Sequence, residues 1–118
     1  LALVSNASTA EVQAWSQSPL APLFDTAVFS CHCGSKKPEP GIYQQALTEL
    51  ELPPDTCLFV GDGGSNEHHG AHAVGMKTVL IRRYLQPERL LALEQELAEL
   101  LTAAVDSLAE LGELLEQN

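Results

Sequence analysis

The chain has 118 residues and 12.7 kDa, enough for one domain and not two. Its apolar fraction of 45% supports a core, and no run approaches the ~20 apolar residues of a membrane-spanning helix. Sixteen acids against six bases give a net charge of −10, which argues against nucleic-acid or anionic-membrane partners but leaves room for a phosphate site served by one or two cations.

Four short apolar runs end in polar or glycine-rich turns. They cover residues 1–4, 27–29, 57–60 and 78–81. Continuous apolar runs of this length suit strands buried on both faces of a parallel sheet. Between them lie helical patterns. Residues 8–17 start with Ser8 and Glu11 three positions on, a capping-box pattern. Residues 40–50 carry Ile42, Ala46, Leu47 and Leu50 as a stripe. Residues 66–74 read as a short helix with Gly75 as a left-handed terminator. Alternating strands and helices predict an α/β fold. Residues 1–86 form the α/β core segment. Residues 87–118 hold half of the acids and read as a leucine-rich helical segment of the same domain, with a short strand expected at 103–106 and Ser107 capping a last helix. The chain opens at Leu1, directly in a strand-like run, so a preceding segment is expected.

Three stretches carry chemistry. In the first, an apolar strand runs into Gly61-Asp62, and a second acid, Glu67, follows at a helix start. Two carboxylates at the C-terminal end of a parallel strand suit Mg²⁺, which takes oxygen ligands and keeps waters. A glycine turn with Glu67 serving the helix N-terminus is an equally good reading of that stretch alone. In the second, Lys37 precedes Pro38 at a loop-to-helix junction, where its charge can reach a phosphoryl group; the bland alternative is a solvated lysine. In the third, Ser5-Asn6 ends the first strand, where a hydroxyl and backbone N–H groups can cradle an anion or merely cap a helix.

Taken together, these stretches resemble the haloacid dehalogenase-like hydrolases, a superfamily dominated by phosphatases. The shared pattern is an apolar strand with Ser5-Asn6, then Gly34-x-x-Lys37-Pro38-x-Pro40-x-x-Tyr43, then Gly61-Asp62-x-x-x-Asn66-Glu67-x-x-Gly70-Ala71 with Gly75-Met76. The resemblance implies a three-layer Rossmann-like core. It implies that Ser5 and the Asn6 N–H bind the phosphoryl group, that Lys37 neutralises it, and that Asp62 and Glu67 hold Mg²⁺, Glu67 directly or through water. Most relatives carry Asp where this chain has Glu67. The family's nucleophile and acid/base lie in an Asp-x-Asp on a central strand before the serine strand, and these residues contain no Asp-x-Asp. The first, central strand and the cap domain are therefore expected outside this chain.

The resemblance thus implies Mg²⁺-dependent hydrolysis of a small phosphorylated substrate in the full-length protein, by way of an aspartyl-phosphate. Metal-free 2-haloacid dehalogenases share Ser-Asn but lack Gly-Asp. A non-catalytic module, using the acidic leucine-rich tail to form a homodimer or bind a protein, is the competing class. Three cysteines without framework spacing fit a reducing, cytoplasmic setting. Cys31-His32-Cys33 is expected on an extended loop and not as a zinc site. His68 and His72 are expected on an exposed helix surface.

Overall fold

The computed structural model describes residues 1–116. It is an α/β structure in which every strand pairing is parallel. Strand β1 (Ala2–Ser5) leads to helix α1 (Thr9–Val12), strand β2 (Thr26–Phe29), helix α2 (Ser30–Cys33) and helix α3 (Pro40–Leu50). Strand β3 (Leu58–Gly61) is followed by α4 (Glu67–Ala73), β4 (Lys77–Ile81), α5 (Pro87–Leu97), β5 (Ala103–Val105) and α6 (Leu108–Glu116).

The strands form two sheets, β1-β2 and β3-β4-β5. Among the described residues, β1 and β3 each keep one unpaired edge. Helix α3 packs on β1 and β2 and touches α4, which covers β3 and β4. The two sheets share these helices, with a break between them. One core bridges the break: Val28, Ile42, Tyr43, Ala46, Phe59 and Ala71 are buried together, with Val4 against them. A second core joins Leu80 of β4 to Leu93 and Leu97 of α5.

Side-chain alternation explains the opposite face. Val28 points to α3, so the neighbouring Phe29 points the other way. There Trp15 meets Phe29 and Phe24 edge-on, at 5.9 and 5.7 Å between ring centroids. This contact accounts for a difference from the expected helix over 8–17. The capping box forms, with Ser8 Oγ accepting from Glu11 N and Glu11 accepting from Ser8 N, but α1 stops at Val12. The chain then turns through short 3-10 segments that bring Trp15 down onto the sheet, and Pro19 and Pro22 prevent the helix resuming.

The tail also departs from a fully packed helix. Ser107 Oγ caps α6 by accepting from Glu110 N, yet α6 has no fully buried residue and Leu108 and Leu115 stay exposed. The segment at 31–33 is a single helical turn and not extended, closed by Gly34 at φ 73°. Cys31 is exposed, and the Cys33 thiol donates to Ser35 O. No described helix is long and apolar enough to cross a membrane.

Candidate active site

The C-terminal ends of β1 and β3 carry the residues singled out by chemistry. Ser5 ends β1, half-buried and in register with Phe29. The next residue, Asn6, clamps the Lys37 backbone at two points. Its Oδ1 accepts from Lys37 N at 2.7 Å, and its Nδ2 donates to Lys37 O at 3.1 Å. The resemblance implies a role for the Asn6 backbone N–H; the side-chain clamp, which joins residues 31 positions apart, is an addition.

Lys37 is not a solvated lysine. Its Nζ donates to Glu67 Oε1 at 2.9 Å, and both side chains are largely buried, 13% and 6% exposed. The ammonium also lies 5.7 Å from the Phe59 ring centroid, on the attractive face of the π system. Glu67 is held on its other side too, because its Oε2 accepts from Gly63 N at 2.9 Å. A continuous chain of contacts therefore runs Asn6–Lys37–Glu67–Gly63. It ties the end of β1 to the loop after β3, across the break in the sheet.

The glycines around this chain are needed for space. A Cβ on Gly61 would strike the Glu67 carboxylate. Gly63 has φ 97°, and a Cβ there would meet Leu93 at 2.8 Å. Ser65 and Asn66 are also left-handed, at φ 56° and 51°, so the helix begins one residue later than expected, at Glu67.

Asp62 is different from Glu67. It is exposed, and its Oδ1 accepts from Gly64 N at 3.2 Å. Its carboxylate has the oxygen chemistry and the access that Mg²⁺ requires, as one protein ligand with water and phosphate completing the shell. Each Glu67 oxygen already accepts one hydrogen bond, from Lys37 and from Gly63, whereas Asp62 stays open to solvent. No group of three or more potential ligands clusters among the described residues.

Behind the loop lies a second layer. The Tyr43 hydroxyl donates to Glu67 O at 2.8 Å, and burial, aided by the Glu67 charge, pushes the phenol far above its usual pKa. His68 is buried, not exposed as expected, whereas His72 is exposed. A seven-residue helix shows too little periodicity for its inward face to be read from sequence. His68 Nε2 lies 3.1 Å from Gly61 O, and its Nδ1 contacts Thr78 Oγ1. A carbonyl only accepts, so Nε2 carries the proton and Nδ1 accepts from the threonine hydroxyl. His68 thus fixes the carbonyl immediately before Asp62 against β4.

Burial lowers the His68 pKa, partly opposed by the charges of Glu67 and Asp62 and by the bond to Gly61. Below about pH 6.5 the unfolded chain takes up a proton on this histidine while the folded protein resists it, so stability falls on acidification. Urea unfolding at about pH 5.5 should show a lower midpoint than at about pH 7.5. In His68→Gln that difference should shrink; an unchanged difference would assign the acid sensitivity to other groups.

Comparison with known proteins bears on the family and the fold. Residues 34–111 match the model of a family described as HAD-hydrolase-like. The chain belongs to the HAD-hydrolase-like family. It is 33% identical over 94 residues to the glyceraldehyde 3-phosphate phosphatase of Pyrococcus furiosus, covering 80% of this chain and 38% of that protein. A solved dehalogenase superposes with TM-score 0.75 at 32% identity, over 99% of this chain and 49% of its own. A HAD phosphatase from Thermococcus onnurineus superposes with TM-score 0.79 at 24% identity, over 98% and 49%, a likeness of fold. The chain therefore spans about half the length of these two solved structures and less of the curated relative.

Proposed function

We propose that this chain supplies the phosphate- and metal-holding half of a Mg²⁺-dependent phosphomonoester hydrolase. The observation that carries the reading is the contact chain Asn6–Lys37–Glu67–Gly63, which holds a buried cation between the serine strand and the Asp62 loop. A lysine clamped this firmly loses little freedom when it meets an anion, so its charge is pre-organised for a phosphoryl group.

In this reading the Ser5 hydroxyl and the Asn6 N–H bind phosphoryl oxygens. Lys37 offsets their negative charge and orients the attacking group. Glu67 acts through Lys37 and the Gly63 N–H, setting the lysine and the loop in place. Asp62 holds Mg²⁺, which when bound withdraws charge from the transferring phosphoryl group. The attacking carboxylate comes from a segment outside these 118 residues. The unpaired edges of β1 and β3 support this, since the contact chain joins their C-terminal ends and a further strand between them would end beside Lys37 and Asp62.

In the full-length protein, Asp62→Asn should lower Mg²⁺-dependent phosphate release from p-nitrophenyl phosphate by on the order of 10²–10³ in kcat/KM. Undiminished release would remove Asp62 from the metal site. Metal-independent chloride release from a 2-haloacid, with no phosphate release, would replace the phosphatase reading by a dehalogenase one.

A further inference from the structure

A recess of about 270 Å³ opens on the β4 side of Asp62, lined by Asp62, Ile81, Arg83 and Tyr84. Its position follows from the strand register. Gly61 pairs with Leu80, so Asp62 stands beside Ile81, and Arg83 lies two residues past the end of β4. Adjacent strands are about 4.8 Å apart, which brings the two loops to one rim.

The other arginines are committed elsewhere. Arg82 is bonded to Glu94 and Asp106, and Arg89 donates to Gly63 O. Lys37 is paired with Glu67. Among the described residues Arg83 has no acidic partner; its guanidinium lies 5.4 Å from the ring of Tyr84, which is itself 85% exposed. In a chain of net charge −10, with Glu88 and Glu94 nearby in sequence, an unpaired arginine at this rim stands out chemically. A guanidinium stacked on a ring keeps its N–H edge free, and that edge matches a carboxylate or phosphate.

Asp62 would repel a free anion from this recess. It would not repel one whose other end is a phosphoryl group bound to a cation on Asp62. We infer that Arg83 and Tyr84 form a second anion subsite, which binds a carboxylate or further phosphate on the leaving-group side of a phosphomonoester. This inference rests on the phosphate-site reading above and deepens it: the substrate class is a doubly anionic phosphomonoester.

Two ligands that differ at one end test it. The 118-residue chain is titrated, in Mg²⁺, with 3-phosphoglycerate and with glycerol 3-phosphate, following ¹H–¹⁵N shifts. The carboxylate ligand should bind about tenfold more tightly, the gain expected of one charge-assisted contact. In Arg83→Gln, whose spectrum reports that the fold is kept, the ratio should fall to about one. Equal affinities in the unsubstituted chain, or a preference that survives Arg83→Gln, would overturn the subsite while leaving the phosphate reading intact. If neither ligand nor inorganic phosphate binds, the phosphate reading fails and the subsite fails with it.

Discussion

Glu67→Ala should cost about 3 kcal/mol of folding stability, at the lower end of the range for removing one member of a buried ion pair because Lys37 keeps slight solvent access. The loss has two parts. The Lys37 ammonium is left in a largely buried position with Phe59 as its remaining neighbour of note, and the Gly63 N–H loses its acceptor. The urea midpoint of the purified chain measures the sum. A second variant separates the cost of an orphaned charge from the worth of the pair. Lys37→Met combined with Glu67→Gln removes both charges and should recover most of the lost stability, since apolar or neutral replacements of matched size often hold such positions well. If Glu67→Ala proved nearly neutral, the pair would not be holding the two halves of the site together.

The second large effect is Gly70→Ala, expected to destabilise by about 2 kcal/mol net, overpacking outweighing the gain in helix propensity. Gly70 sits mid-helix without unusual backbone, so on propensity alone alanine would be favoured by about 1 kcal/mol. Space decides otherwise. A Cβ there would lie 2.6 Å from Pro38 O, 2.6 Å from Tyr43 Oη and 2.7 Å from Tyr43 Cε2. The Pro38 oxygen is backbone, and Tyr43 is fully buried and bonded to Glu67 O, so neither yields cheaply. Gly112 is the matched control. It also lies in a helix, nothing stands within 4 Å of its added Cβ, and Gly112→Ala should stabilise by about 1 kcal/mol. Thermal unfolding of the two variants side by side should move in opposite directions; a stabilised Gly70→Ala would mean that α4 can drift from the Pro38 loop.

The strand ends were legible because local signals coincide there. An apolar run, a turn and a chemistry-bearing residue fall together at Ser5 and at Gly61-Asp62, and the parallel α/β class follows from the same runs. The Lys37 motif was legible as a pattern but not as a structure. Its partners Asn6 and Glu67 are 31 and 30 residues away, and no short-range rule connects a lysine to acceptors at such distances. The same limit hid the burial of His68, which depends on Thr78 of β4 and Gly61 of β3. Helix α1 was overextended because its capping box is real, while the signal that ends it is tertiary, Trp15 settling against Phe24 and Phe29. The freedom of Arg83 was legible least, because it shows only by contrast with its neighbour Arg82, which pairs with Glu94 and Asp106.

The interrupted sheet has a consequence for precision. In a continuous sheet, the ladder of backbone bonds fixes the spacing between neighbouring strand ends. Here the spacing between the Ser5 end and the Asp62 end is set by α3 packing and by a few side-chain contacts. In the proposed reaction the two ends present one phosphoryl group to one cation, and a misplacement of about 1 Å at such a centre can cost about 10²-fold in rate. The Lys37–Glu67 pair is thus a spacer as well as a charge. A strand filling the break would add a rigid ruler between the half-sites and raise their effective molarity toward each other without adding a single contact to the substrate.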